Sequence, residues 1–231
     1  MIATRAITIV AVLAAVCSAV FAREEGIVRE QRAVSGFDRI VFHTVGELHI
    51  VQGDHEALLI EAEPRVIPKV TTIVKDGALH IDLVGNVSTQ QPLRYHLTVK
   101  RLRGIVSEAS GEINASRIQT DRLDVVLAGS GPLKIADLAA ETFQVRVTGS
   151  ADVSISGVVR GQSVAIEGSG EYAADRLMSR VARIVITGSG SARVSAAEEL
   201  AVEIAGSGTV TYIGNPRVRQ QITGAGSVER G

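Results

Sequence analysis

The stretch "VVLAGSGPLKI", residues 125–135, places a Gly-Ser-Gly triplet between two runs in which apolar residues alternate with others. Related stretches follow through the second half of the chain: "VRVTGSADVSI" from residue 145, "VAIEGSGEYAA" from 164, "IVITGSGSARV" from 184, "VEIAGSGTVTY" from 202 and "QQITGAGSVER" from 220. With an "ASG" variant at 109, the triplets begin at residues 109, 129, 149, 168, 188, 206 and 224. A repeat of nearly constant length, close to 20 residues, predicts a solenoid in which each repeat forms one coil.

The apolar positions within each repeat have the period of a β-strand. Val145 and Val147 lie four and two residues before one triplet, and Leu133 and Ile135 follow another with the same parity. Residues two apart share a face of a strand, so this alternation predicts one buried face. Glycine adopts positive φ without steric penalty, which favours the triplets as corners between strands. The predicted structural corner residues are Gly129, Ser130, Gly131, Gly149, Gly168, Ser169, Gly170, Gly188, Ser189, Gly190, Gly206, Ser207, Gly208, Gly224 and Gly226.

These features together predict an all-β fold, a right-handed parallel β-helix or solenoid with coils of about 20 residues. At about 3.3 Å per residue the perimeter of a coil is about 60 Å, which leaves room for a core of Val, Ile and Leu but for no channel. A phosphate-binding glycine loop is the alternative interpretation of the triplet. Such a loop occurs once, between a strand and a helix. Here the triplet recurs and no amphipathic helix follows it, so the solenoid is favoured.

The first 22 residues, "MIATRAITIVAVLAAVCSAVFA", have the pattern of a secretory signal peptide. Arg5 is followed by an apolar run, and small residues precede the charged "REEG", which predicts cleavage after Ala22. Cys17 is the only cysteine, so the mature chain would contain no disulfide bond. We therefore expect an exported protein, located in the periplasm, on the outer surface or outside the cell, with no transmembrane segment after cleavage.

Residues 33–108 contain strand patterns without the triplet. The sequence predicts strands near 39–45, 47–52 and 57–63, and the Asp76-Gly77 pair between two alternating runs predicts a hairpin. We interpret this part as a mixed or antiparallel β section that covers the open first coil. Residues 23–32 are predicted to be a flexible leader, and residues 33–230 a single domain with the coils at 109–230.

Several of these stretches in this order resemble one known family. "GFDRIVFHTVGELHIVQGD", "VIPKVTTIVKDGALHIDL", the Gly-Ser-Gly coils and "YIGNPRVRQQITGAGSVER" are similar to the secreted bacterial GIN-domain family, described as head domains of autotransporter adhesins. The resemblance covers roughly residues 33–230. It implies a β-helical fold in the cell envelope or outside the cell, and it brings no catalytic residues. Ala109 and Ala151 depart from the triplet pattern, so the first coil is expected to turn differently.

The histidines raise the hypothesis of a metal site. His49, His80 and Asp82 fall on the polar faces of predicted strands, and adjacent strands would bring such side chains within reach of one zinc ion. The alternative is that they are exposed strand residues, and this is the interpretation we favour. We predict no catalytic residue, no bound metal and no cofactor.

Composition narrows the choice of partners. The net charge is −1, there is no basic block, and aromatic residues make up 3% of the chain, so nucleic acid is not expected as a partner. The sequence predicts a non-enzymatic adhesive or structural module that binds an envelope or extracellular glycan or protein, with homo-oligomers possible. Two alternatives are a polysaccharide-active enzyme on a β-helix scaffold, for which no column of carboxylates is found, and a periplasmic ligand-binding or signalling accessory. The arginines of "RLMSRVAR", residues 176–183, are a second candidate contact, expected in a loop.

Overall fold

The computed structural model of the protein describes residues 26–231, and strands account for most of them. A single turn of 3₁₀-helix lies at Ile67–Lys69. The predicted signal peptide, its cleavage site and Cys17 lie outside the described residues. Within the described part, no helix is long and apolar enough to cross a membrane. The strands are β1 (Val28–Arg32), β2 (Arg39–His43), β3 (Glu47–Gln52), β4 (Ala57–Ala62), β5 (Val70–Lys75), β6 (Ala78–Leu83), β7 (Arg94–Val99), β8 (Gly104–Ser107), β9 (Glu112–Leu127), β10 (Leu133–Gly149), β11 (Val153–Gly168), β12 (Glu171–Gly188), β13 (Ser191–Gly206), β14 (Thr209–Ile213), β15 (Arg217–Gly224) and β16 (Ser227–Arg230).

The coils of the second half stack in parallel and in register, which confirms the predicted β-solenoid. Each strand from β9 to β13 is 16 to 18 residues long and pairs in parallel with the next. Three of these ladders contain register shifts, for example between Ile135 and Leu138 of β10 and between Ser154 and Ser156 of β11. We call the sheet formed by the first halves of these strands the first sheet, and that formed by the second halves the second sheet. β3 and β7 extend the first sheet, and β2, β6 and β8 extend the second.

The N-terminal section contributes coils of its own to this stack. β6 and β2 pair in parallel with each other, as do β7 and β3, so the order of coils along the axis is β6–β7, β2–β3 and then β8–β9. β1, β4 and β5 are antiparallel to their neighbours. The section is therefore mixed, as predicted. The parallel stack, however, begins well before residue 109.

Two local predictions for this section have different outcomes. The Asp76-Gly77 hairpin between β5 and β6 is confirmed, with positive φ at both residues, 51° and 73°. The flexible leader predicted over residues 23–32 is wrong at Val28–Arg32, which forms β1 and pairs with β4. The sequence "VREQR" is polar because one face of β1 is exposed, and its stability comes from ladder hydrogen bonds rather than from a buried apolar face.

The glycines that open the triplets lie above one another at a sharp corner. At Gly188 φ is +120°, and a Cβ built there would lie 2.5 Å from the carbonyl oxygen of Gly168 in the preceding coil. The amide of Ser189 donates a hydrogen bond to that same oxygen, at 2.9 Å. The corner at Gly129, which lies against Ala109 of the preceding coil, differs from the later ones: Gly129 is not in the positive-φ region, and β9 ends before it, at Leu127. Ala151 replaces a glycine at a position where the side chain is buried.

The core between the sheets is apolar over most of its length, with columns of Val, Ile and Leu from successive coils. Tyr172 is a fully buried exception that takes part in a polar network. Its hydroxyl donates to Gln162 Oε1 at 2.8 Å, and Gln162 Nε2 donates to Ser179 Oγ at 2.9 Å. Ser179 Oγ in turn donates to the carbonyl oxygen of Ser195 at 2.7 Å. The buried amide is thus satisfied by a chain of partners that spans three coils.

We expect Gly188→Ala to lower the free energy of unfolding by about 3 kcal/mol, because the new methyl group meets a backbone carbonyl in an unfavourable region of φ. Ser189→Ala, at the exposed neighbouring position, should change it by less than about 0.5 kcal/mol. Urea unfolding followed by circular dichroism measures both. Equal stability of the two variants would show that the corner does not require glycine.

Stability should also decrease at alkaline pH. Burial raises the pKa of Tyr95 to about 12 and raises that of Tyr172 further. Below pH 10 both tyrosines are neutral in the folded and unfolded chains, whereas above it only the unfolded chain ionises. The free energy of unfolding should therefore fall by about 1.4 kcal/mol per pH unit for each tyrosine. Between pH 10 and 12, the free energy of unfolding of Tyr172→Phe should fall with pH about half as steeply as that of the wild-type protein, because only Tyr95 remains. Urea unfolding measures this, and an unchanged pH dependence would contradict the raised pKa of Tyr172.

Candidate functional site

Two histidines stack on the outward surface of the first sheet. His49 on β3 and His96 on β7 are register partners, and their rings lie 5.4 Å apart at an interplanar angle of 15°. Each has its own carboxylate: His49 Nε2 lies 3.3 Å from Glu47 Oε2, and His96 Nε2 lies 3.4 Å from Glu61 Oε2. The pair was not predicted, since the sequence does not show that β3 and β7 are neighbours.

Arginines on the neighbouring strands complete this cluster. Arg29 Nε on β1 donates to Glu61 Oε1 at 2.7 Å, and Arg94 Nε on β7 donates to Glu47 Oε2 at 3.3 Å. Burial acts to raise the pKa of Glu61, but hydrogen bonds from His96 and Arg29 outweigh it and hold the pKa below its ordinary value. Every charged group named here has an opposite partner, so the cluster joins β1, β4, β7 and β3 rather than presenting an unpaired group to a ligand.

The structure does not bring the candidate metal ligands His49, His80 and Asp82 together. His80 and Asp82 lie on β6, which pairs with β2 and β5, whereas His49 lies on β3 and stacks on His96. Asp82 Oδ1 instead lies 3.1 Å from His43 Nδ1, and Glu108 Oε2 lies 3.4 Å from His43 Nε2. Among residues 26–231, no group of three His, Cys, Asp or Glu side chains is placed to hold a metal ion. The trio is separated because its two strands belong to different sheets.

The carboxylates of the coils are mostly paired with arginine, often on an adjacent coil. At Glu198, Arg180 donates two hydrogen bonds, at 2.8 and 3.2 Å, and lowers the pKa of that carboxyl. A general acid needs the opposite shift, towards neutral pH. Similar pairs are Arg117–Asp137, Arg122–Asp124, Arg146–Glu167, Arg183–Glu203 and Arg193–Glu171. These ion pairs indicate a structural role for the carboxylates on the surface of the stack rather than a catalytic one.

The segment at residues 176–183 is not the loop that was expected. It lies within β12, where Arg180 and Arg183 pair with Glu198 and Glu203 of β13. Parallel stacking in register places each of these arginines beside the next coil. The sequence alone does not show which residues of that coil will be its neighbours.

A broad concave surface lies on a third side of the solenoid, where the coils pass from the first sheet to the second. We call it the basic groove; it encloses about 940 Å³. One wall is the segment Lys100–Arg103 between β7 and β8, and Gln52 at the end of β3 lies beside it. The other wall comes from the mid-strand corners of β9, β10 and β11, with Asp121, Glu141 and Val158. This volume is within the range of small-ligand sites.

Comparison with known proteins places the chain in a family. The model of the family described as "Putative auto-transporter adhesin, head GIN domain" matches residues 36–216. No curated protein sequence matches the chain.

Solved structures share the fold at low sequence identity. A "putative adhesin" from Bacteroides fragilis is 21% identical with a TM-score of 0.85, and the match covers 90% of this chain and 98% of that one. A "putative lipid binding protein" from Parabacteroides distasonis is 22% identical, with a TM-score of 0.73 and the same coverage. A "putative adhesin" from Parabacteroides merdae is 19% identical, with a TM-score of 0.67 over 90% of this chain and 97% of that one.

The role of Glu61 can be tested by Glu61→Gln. Losing the charge that faces Arg29 and His96 should lower the free energy of unfolding at neutral pH by about 1–2 kcal/mol. Because the folded-state pKa is lowered, this contribution is present above the ordinary value of 4.5 and is lost as the pH falls through the folded-state value. Glu167→Gln on β11, which breaks an exposed pair with Arg146, should have an effect below about 0.5 kcal/mol. Urea unfolding at several pH values would refute this role if both variants behaved alike.

Proposed function

The chain belongs to the GIN-domain family, and on that premise we propose that it is an exported, non-catalytic β-solenoid that binds a polymer of the cell envelope or the extracellular space. The observation that carries the proposal is the in-register stack of coils. Neighbouring strands lie about 4.8 Å apart, so equivalent outward positions recur along the axis at that spacing. A linear array of this kind suits a linear partner better than a compact small molecule.

Binding is favoured over catalysis by the state of the polar groups. Most coil carboxylates are engaged by arginines, as at Arg146–Glu167 and Arg180–Glu198. The histidines His43, His49 and His96 are engaged by Asp82, Glu47 and Glu61. A hydrolase or lyase needs a carboxyl or imidazole group that can transfer a proton to the substrate, and a group held in an ion pair is poorly suited to this.

Export rests on the sequence of residues 1–22. We expect the full-length protein with a C-terminal tag to be recovered outside the cytoplasm, with an N-terminus at Arg23 when it is analysed by mass spectrometry. Ala22→Arg should block processing at that site, since cleavage needs a small residue there. Recovery of a cytoplasmic protein that retains its N-terminal segment would contradict export.

The binding function is tested by cosedimentation of the protein with cell-envelope preparations and insoluble polysaccharides. We expect retention that is unaffected by EDTA, because the described residues offer no metal site. No soluble sugar product should appear during the incubation. Product release would replace the proposal with a polysaccharide-active enzyme, and absence of retention on every polymer would overturn it.

A further inference from the structure

The cationic wall of the basic groove carries charge that the protein does not neutralise. Lys100 and Arg101 are exposed, and among the described residues neither has an acidic partner within 4 Å. Arg103 is shared at 3.9 Å between Asp38 and Asp121, a distance that leaves its donors available. This differs from strands β9–β13, where most arginines lie within 4 Å of a carboxylate. The wall is therefore a local positive surface on a protein whose net charge is −1.

The same wall is held rigidly. Leu102, between the cations, is fully buried and anchors the segment in the core. Gln52 Nε2 donates to the carbonyl oxygen of Lys100 at 3.0 Å. The amide of Arg103 donates to the carbonyl oxygen of Asp38 at 2.7 Å, and its own carbonyl accepts from the amide of Asp124 at 2.9 Å. A backbone fixed in this way loses little entropy when its side chains bind a ligand.

The opposite wall provides contacts of another kind. Gln119, Ala139 and Val158 lie side by side in register on β9, β10 and β11, with Gln119 and Val158 exposed. Asp121 and Glu141 offer carboxylate acceptors close to them. Amide and carboxylate groups bind hydroxyls, and the aliphatic strip fits the C–H face of a sugar. The lining contains no aromatic residue on which bases could stack, which disfavours single-stranded nucleic acid.

We propose that the basic groove binds the anionic substituent of a polysaccharide, a phosphate or carboxylate carried on a sugar chain. Lys100, Arg101 and Arg103 hold the anion, and the wall with Gln119 and Val158 contacts the adjoining sugars. This inference rests on the proposed function and names its partner class. Because the groove crosses three successive coils, the chain would run along the solenoid axis.

The test measures affinity for three soluble polysaccharides: phosphomannan, alginate and neutral mannan. The variant Lys100→Gln/Arg101→Gln removes two charges that form no ion pair among the described residues, so the fold should be unaffected. Arg217→Gln/Arg219→Gln on β15 is the matched control, since it removes two exposed arginines at the other end of the stack. Circular dichroism and thermal unfolding establish that both variants are folded.

We expect wild-type protein to bind phosphomannan or alginate, and neutral mannan at least about tenfold more weakly. The groove variant should lose about tenfold or more in affinity, the size expected for two charge-assisted contacts, and the control less than about twofold. Comparing the affinities for phosphomannan and alginate shows whether phosphate or carboxylate is the preferred anion. Added salt should weaken binding.

The outcomes that overturn the inference are distinct from those that overturn the proposed function. Envelope binding that survives in the groove variant refutes the groove and leaves the binding function intact. Preference for neutral mannan, for a single-stranded oligonucleotide or for phosphatidylglycerol vesicles also refutes it. Loss of retention on every polymer in the cosedimentation assay refutes the proposed function itself.

Discussion

The close approach of backbone between neighbouring coils, at the glycine corners, is the constraint on which the rest of the structure depends. At Gly206, as at Gly188, a Cβ would lie less than 2.6 Å from the carbonyl oxygen of the preceding coil. A side chain there would push the coils apart and break the ladder on both sides of the corner. With only hydrogen in this position, every coil turns at the same place, and the strands that leave the corner are in register.

Register at the corner determines what surrounds each side chain in the coils. Residues at the same position of successive coils become neighbours in a parallel ladder, so an apolar inward position builds a column of the core. Outward positions are matched in the same way, and Arg193 on β13 meets Glu171 on β12. The only cysteine of the chain is Cys17, so cross-links play no part in this stability. It comes from burial, ladder hydrogen bonds and, to a smaller extent, surface ion pairs.

The N-terminal section departs from this regularity, and its special features follow from the departure. β2 and β3 are inserted between coils that come later in the sequence, so β3 lies beside β7 and His49 stacks on His96. The turn from β7 to β8 then runs across the third side and carries Lys100 and Arg101 without acidic partners. In the regular coils β9–β13 most arginines lie within 4 Å of a carboxylate, whereas at the junction between the two kinds of coil Lys100 and Arg101 have no acidic partner within that distance in the described part of the chain. This is the physical reason to expect a ligand there.

The sequence by itself determined the strand period, the length of the coil, the position of the corners and the Asp76-Gly77 turn. Each of these follows from residues close together in the chain: alternation, glycine spacing and a dipeptide with positive φ. Only the tertiary structure decided which strands are neighbours. That choice separates His49 from His80, places the polar segment of β1 in a sheet, and joins Gln162 to Tyr172 in the core. It also brings Gln52 to Lys100 and Gln119, because hydrogen bonds between residues distant in sequence depend on the order of coils, which no local pattern encodes.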